Sequence, residues 1–408
     1  MAIKRPELLS PAGNIEKMKA GFSFGADACY LAGKGFGMRT AADNFTEDEL
    51  DEAVKYAHAL GKKVYVTVNV MPHGDEYAAL EKYLDFLDGI GTDALIISDL
   101  GVLDTANRLA PHCEKHISTQ ASIVSSRSAE MWLRLGASRI VLARELTLDE
   151  IRALRRDTSK ELEIEAFIHG SMCVSWSGRC LLSNHFTGRD ANRGACTQPC
   201  RWNYHLYEIE EEKRPDERLE IQETDRGTFI MSSKDMCMIE HVPELIDAGI
   251  DSFKIEGRMK SAYYTAVTAN AYRMAIDSAV SGSYSYDPKW LTELESVSHR
   301  EYCTGFYYGS PADGANTVTV PGYVRDRAYI GTVVGYDASS GRATIMQRNK
   351  VSVGDAVELI TPGMTGRKFT VKNMKNEEGE EITSAPHPLM IFSLDLPFEA
   401  KPGDMLRA

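Results

Sequence analysis

Along residues 1–260, short apolar runs alternate with amphipathic stretches. The runs are 7–11, 28–32, 64–69, 94–98, 116–120, 139–143, 164–170 and 253–257. Most are rich in Val, Ile, Leu or Tyr and stop at turn or polar residues, the pattern of strands buried on both faces of a parallel sheet. Helical periodicity fills most gaps, at 14–25, 46–60, 80–87 and 126–135. Thr46 with Glu49 three residues on predicts a capping box at one helix start. Eight such alternations predict an α/β fold, a (β/α)8 TIM-like barrel over 1–260, with a doubly wound open sheet as the alternative.

The rhythm then changes. Residues 207–226 are acidic and polar and read as an inserted hairpin or loop. Residues 261–281 predict a long helix leaving the barrel, and 290–297 a short one, so that 261–321 forms a helical connection. Short β runs follow at 329–336, 343–347, 356–360, 368–371 and 389–394. Val353-Gly354-Asp355 and Lys401-Pro402-Gly403-Asp404 supply turns between them, and 322–408 is predicted to be a small C-terminal β-barrel domain.

Composition narrows the function classes. The chain has 408 residues, 43% hydrophobic and 26% charged, enough to bury a sizeable core. No apolar run reaches eighteen residues, so no membrane span is expected. The opening residues are too few and too charged for a signal peptide, which predicts a cytoplasmic protein. In that reducing compartment eight cysteines are not read as disulfides but as metal ligands or reactive thiols. A net charge of −13 argues against a protein that coats nucleic acid non-specifically, and leaves room for a local basic patch serving one RNA.

Four thiols fall within one short stretch: Cys173, six residues, Cys180, fifteen residues, Cys196, three residues, Cys200. Thiolates are soft ligands that suit iron–sulfur clusters or zinc. Structural zinc sites usually take two close pairs, and here only the second pair is close, so the spacing favours a 4Fe–4S cluster over zinc. Cys173 lies just past the seventh predicted strand, on the face where (β/α) barrels keep their active sites. Four unrelated buried cysteines is the bland alternative. Cys237 is an alternative fourth ligand in place of Cys200.

Residues 165–183 read Glu165, Phe167, Gly170-Ser171-Met172-Cys173, Gly178, Cys180 and Leu182-Ser183. This resembles the signature of the collagenase-like peptidases, peptidase family U-32. Glu7-Leu8-Leu9-Ser10-Pro11-Ala12-Gly13-Asn14, Gly25-Ala26-Asp27-Ala28, Lys254-Ile255-Glu256-Gly257-Arg258 and Thr304-Gly305-Phe306 also fit, so the resemblance covers nearly the whole chain. It implies an oxygen-independent hydroxylation enzyme with a 4Fe–4S cluster and prephenate as co-substrate and hydroxyl donor. Gly194-Ala195-Cys196-Thr197-Gln198-Pro199-Cys200-Arg201-Trp202 and the added C-terminal domain are most similar to the branch that makes 5-hydroxyuridine at the tRNA wobble position. The C-terminal domain also resembles the second domain of translation elongation factors, which contacts RNA. Alternatives are a U-32 peptidase, hydroxylation of another RNA or of a small aromatic compound, and a scaffold with a structural metal. A partner subunit of the same family is compatible with the resemblance.

Protease signatures are weak. No His-Glu-x-x-His motif is present, and Gly21-Phe22-Ser23-Phe24-Gly25 ends a predicted helix instead of opening one, the reverse of a nucleophile elbow. Polar residues at strand ends form a candidate rim: Asn69, Ser98 and Asp99, Gln120, Arg144 and Glu145, His169, Glu256 and Arg258. Of these, His169 suits general acid–base work and Arg144 with Arg258 suits carboxylates, of which prephenate carries two. Glu256 completes the catalytic set, Lys254 is a less specific cation, and Glu165 is read as a buried orienter. Arg189, Arg193 and Arg201 suit phosphates, Trp202 suits a stacked base, and Arg325 and Arg327 offer further phosphate contacts.

Overall fold

A computed structural model of the chain describes residues 4–38, 43–173, 175, 180–189, 191, 194–202, 223–224, 227–228, 233–282, 284–309 and 323–408. Strands β1 (Glu7–Pro11), β2 (Ala28–Leu31), β3 (Lys63–Val68), β4 (Ala94–Ile97), β5 (Glu114–Ile117), β6 (Arg139–Val141) and β7 (Glu163–Ser171) pair in parallel, each with the next. After α7 (Leu182–Thr187), β8 (Glu223–Thr224), in the stretch expected to be inserted, pairs antiparallel with β9 (Gly227–Thr228) just past it; the rest of that stretch lies outside the described residues. β10 (Asp235–Cys237) follows, and then β11 (Ser252–Ile255), which pairs in parallel with both β7 and β1 and closes an eight-stranded barrel. The closure decides for the barrel over the open sheet.

Helices α1 (Ile15–Ser23), α2 (Glu47–Ala59), α3 (Tyr77–Gly89), α4 (Leu100–Leu109), α5 (Ser126–Arg134), α6 (Leu148–Arg156) and α8 (Val242–Asp247) connect the strands. The capping box of Thr46 and Glu49 opens α2 as expected. A second, Thr147 with Glu150, opens α6, a helix that the apolar periodicity had not singled out. Ser23 closes α1, so the Gly-x-Ser-x-Gly letters are a coincidence of context. The fifth strand begins at Glu114, two residues before the expected start. Its first residues are charged, but Lys115 is buried and donates from Nζ to Ala110 O at 2.7 Å.

The long helix α9 (Ala262–Val280) was expected to leave the barrel. It packs against α1 and β1 instead, with most of its side chains buried, because it is apolar nearly all round. α10 (Pro288–Glu295) and β12 (Tyr302–Cys303) complete this part, β12 pairing in parallel with β10.

The C-terminal unit holds β13 (Tyr329–Asp337), β14 (Arg342–Gln347), β15 (Val351–Ser352), β16 (Ala356–Ile360), β17 (Arg367–Thr370), β18 (Ser384–Ala385), β19 (Ile391–Asp395) and β20 (Met405–Arg407). Six of them form an antiparallel sheet in the order β17-β16-β20-β13-β14-β19, and β15 pairs with β18. A separate core that includes Ile345, Leu359, Phe392 and Leu406 fills this unit. Arg407 locks it to the barrel side: Nη1 and Nη2 donate to Glu293 at 2.7 and 2.8 Å, and Nε donates to Glu358 at 2.6 Å. Tyr263 and Tyr329 stack across the same seam, with centroids 5.4 Å apart.

The barrel interior is divided. Leu9, Ala28, Tyr30, Tyr65, Ala94 and Ile96 form an apolar half under β1–β4. A buried ion network fills the other half. Arg139 donates to Glu7 at 2.6 Å, to Glu163 at 2.6 Å and to Glu165 at 3.0 Å, and Lys254 donates to Glu165 at 2.6 Å. Glu165 is fully enclosed, as a buried orienter should be.

Candidate functional site

The longest barrel strand makes the site. β7 pairs with β11 only as far as His169, and its end, His169 to Ser171, is paired antiparallel by β10. This overhang carries Cys173 past the barrel mouth into an exposed position. Gly170 permits it: its φ is +102°, and a Cβ there would lie 2.4 Å from Glu256 O. Side chains from elsewhere hold the overhang. Arg144 Nη1 donates to Ser171 O at 2.9 Å, and Ser233 Oγ donates to Met172 O at 2.7 Å. Arg300, buried and paired with Asp235, also reaches Met172 O at 3.5 Å.

The other cysteines sit on two facing segments. Cys180 precedes α7, while Cys196 and Cys200 flank and enter the turn Pro199–Arg201. Ser183 and Thr197 tie these segments together: Thr197 N donates to Ser183 Oγ at 3.0 Å, and the two hydroxyls lie 3.1 Å apart. Cys196 is exposed, and Cys180 and Cys200 are partly so. Among the described residues, no three His, Cys, Asp or Glu side chains stand gathered as a metal site. In donor chemistry the four thiols are of the soft type that suits a thiolate-bound metal centre.

Cys237 is placed differently. It lies on β10 opposite His169, four residues back from Cys173 along β7. It is buried, Tyr272 OH donates toward its sulfur at 3.8 Å, and burial pushes its thiol up to about 12. That surrounding suits a structural thiol better than a ligand.

The expected rim divides into structural and available groups. Asn69 Nδ2 donates to Gln120 Oε1 at 2.7 Å, Ser98 Oγ donates to Asn69 O at 2.9 Å, and Asp99 caps α4. These side chains hold loops. Lys254, expected as a spare cation, is committed to Glu165. Arg258 is buried and donates to Thr67 Oγ1 at 3.3 Å and to Met38 O. Glu256 is half-buried, its backbone bridging His169 O and Tyr264 OH.

His169 was read as a general acid or base at the mouth. A register shift against Lys254 and Ile255 leaves Ile168 as an extra residue on β7, and a bulge of this kind re-aims the next side chain. His169 therefore packs among Tyr264, Tyr272 and Tyr302, with centroids 6.0, 5.4 and 5.4 Å away. Burial drives its pKa down to about 3, so the imidazole is neutral.

Arg144 keeps more freedom. Its guanidinium lies 3.9 Å over the Phe167 ring, and its buried Nε has no hydrogen-bond partner among the described residues. Beside it opens a cleft of about 710 Å³, lined by Glu145, Thr147, Arg152, Phe306, Tyr307 and Tyr308 among others. Burial raises the Glu145 carboxyl. Phe306 belongs to the Thr304-Gly305-Phe306 element singled out in the sequence. Arg189 and Trp202 are exposed. Arg193 and the Arg201 side chain lie outside the described residues.

The sequence profile of peptidase family U32 matches residues 13–317, and that of the family's C-terminal domain matches 325–407. The chain belongs to peptidase family U32. The tRNA hydroxylation protein P1 of Bacillus subtilis is 39% identical over 411 residues, covering 99% of this chain and 95% of that one. The 23S rRNA 5-hydroxycytidine C2501 synthase of Escherichia coli is 40% identical over 276 residues, 68% of this chain and 40% of that one. A protein named collagenase from Porphyromonas gingivalis is 30% identical over 369 residues, 87% of this chain and 86% of that one. Among the described residues of this U32 chain, no helix is long and apolar enough to cross a membrane.

Proposed function

We propose that this U32 protein hydroxylates RNA, and specifically that it converts the wobble uridine of tRNA to 5-hydroxyuridine. Two of the relatives described above are named for RNA hydroxylation, one of them matching this chain nearly end to end. The observation that carries the reading is the overhang of β7. It sets Cys173 on the face where barrel enzymes work, and the two segments that follow it in the chain bring three more cysteines.

In this reading Cys173, Cys180, Cys196 and Cys200 hold a 4Fe–4S cluster. When bound, the cluster supplies Lewis-acid or one-electron chemistry at the barrel mouth. The chain's own groups do the rest. Arg144, with its unpartnered Nε, receives a carboxylate of a small hydroxyl donor such as prephenate, and Arg258 shapes the opposite wall. Neutral His169 and the Glu256 backbone position the overhang beneath the cysteines. Arg189 and Trp202 face the RNA.

The test is iron, zinc and sulfide analysis of anaerobically purified protein, followed by nucleoside analysis of tRNA from a deletion strain. About four irons and four sulfides per chain, together with loss of 5-hydroxyuridine, are expected. One zinc and no sulfide would end the reading. The peptidase alternative rests on the collagenase relative, and metal-independent gelatin cleavage by the purified chain would favour it.

A further inference from the structure

We infer that Phe186 and Trp202 form a stacking platform for one unpaired base of the RNA substrate. This rests on the RNA-modifying reading above and assigns the substrate's contact point within it.

The surface beside the cysteines is unusual for a soluble face. Leu181 is 69% exposed, Phe186 51% and Trp202 38%, and the three come from the two segments tied by Ser183 and Thr197. The Phe186 and Trp202 rings stand 6.2 Å apart at 52°, and His185 meets Phe186 edge-on at 5.1 Å. Contiguous exposed apolar groups of this kind mark interaction sites.

The Trp202 ring is held in place before any ligand arrives. Trp202 Nε1 donates to Thr197 O at 3.0 Å, and Trp202 N donates to Pro199 O at 3.1 Å. Thr187 Oγ1, next in the chain to Phe186, donates to Ser183 O at 2.6 Å and braces the short helix that carries the ring. Trp202 has little conformational freedom left to lose on binding. Trp202 follows Cys200 by two residues, and Phe186 follows Cys180 by six.

An unpaired nucleobase fits these features. Aromatic faces stack any base, whatever its sequence context, and an arginine next to them meets the phosphate. Arg189, exposed and three residues past Phe186, provides that cation on a chain whose overall charge of −13 would otherwise repel RNA. A base already free in a loop reaches the site without the cost of being flipped out of a duplex. A second copy of this chain is the competing occupant.

The experiment uses the full-length, metal-loaded protein and a short RNA hairpin with an unpaired uridine in its loop. Phe186→Ala and Trp202→Ala should each weaken binding about ten-fold or more, while Trp202→Phe keeps most of it. Iron content should not change. A hairpin carrying 5-bromouridine in the loop, irradiated with the unaltered protein, should crosslink within 182–187 or 197–202. Unchanged affinity in both alanine variants, or crosslinks only elsewhere, would overturn the platform and leave the RNA reading intact. Failure of the unaltered protein to bind the hairpin at all would overturn both. If the variants dissociate a dimer without touching RNA affinity, the surface belongs to a second copy and the inference is wrong.

Discussion

Arg300 and Asp235 form an ion pair enclosed by protein, with Nη2 2.6 Å from Oδ1 and both side chains at most 3% exposed. Nε donates to the same oxygen at 2.9 Å, and the Arg300 backbone N–H donates to Oδ2 at 3.1 Å. The guanidinium also reaches Ser233 Oγ at 3.3 Å and Met172 O at 3.5 Å. A charge pair on β10 and its neighbouring segment thus holds the carbonyl just before Cys173.

Asp235→Ala should therefore be costly, because it leaves a buried guanidinium uncompensated. A loss of about 3–5 kcal/mol is expected in urea unfolding of the purified protein. Less metal should be retained as the β7 end loosens. A loss below about 1 kcal/mol, the level of an exposed pair, would show that the pair does not hold this region.

Glu165 gives the barrel an acid limit. Burial alone would push its carboxyl up, but Lys254 and Arg139 outweigh burial and hold it at about 2. An unfolded glutamate titrates near 4.3, so the folded state binds fewer protons in between. The stability from this group is complete above about pH 4.3 and drains as pH falls toward 2. Glu165→Gln should lower stability at neutral pH and flatten the acid branch of the urea midpoint. Identical pH slopes in both proteins would refute the assignment.

Arg407 couples the two units. Arg407→Ala takes the nearest cation from buried Glu293 and Glu358; Glu293 also accepts from Gly366 N across the seam at 2.9 Å, and Glu358 keeps Arg327 at 3.7 Å. About 3 kcal/mol or more should be lost. The intact chain should melt in one heat-capacity peak and the variant in two, with the C-terminal sheet melting apart from the barrel. One unchanged peak would mean that the tyrosine stack and neighbouring contacts suffice.

Thiol reactivity should sort the cysteines. In metal-free protein, iodoacetamide at mildly alkaline pH should label Cys173 and Cys196, which are exposed. Cys113 and Cys237 should be spared, since burial pushes both thiols up to about 12, and Cys29 is raised further still. Peptide mass spectrometry reads the pattern. Metal loading should then protect the first group, and Cys237→Ala should keep its full iron. Labelling of Cys237 ahead of Cys173 would contradict the placement.

Arg144→Met should weaken the carboxylate co-substrate more than the RNA. Losing one charge-assisted contact should raise KM for the small molecule about ten-fold or more, with RNA affinity unchanged. Equal loss of both would mean that Arg144 acts by holding Ser171 and not by binding substrate.

Much of the barrel was legible because the information is local. Buried parallel strands need continuous apolar runs, and the runs at 7–11, 28–32 and 94–98 lie within a residue of β1, β2 and β4. The capping box at Thr46 was readable for the same reason: it needs only four consecutive residues. The four clustered cysteines announced themselves by spacing alone. The platform ring Phe186 carried no such signal, since one aromatic in a short helix is ordinary until its exposure and its neighbour Trp202 are known.

The sequence by itself determined the alternation of strands and helices, the change to short β runs after the barrel, and the crowding of thiols past the seventh strand. Tertiary structure decided which polar groups are available. One extra residue on β7 turned His169 away from the mouth into a tyrosine pocket, and no periodicity shows where a bulge will fall. Arg300 reaches Met172 across 128 positions and Arg139 reaches Glu7 across 132. Such contacts form only once the sheet has closed, because a charge is stable in the interior only where its partner arrives with it.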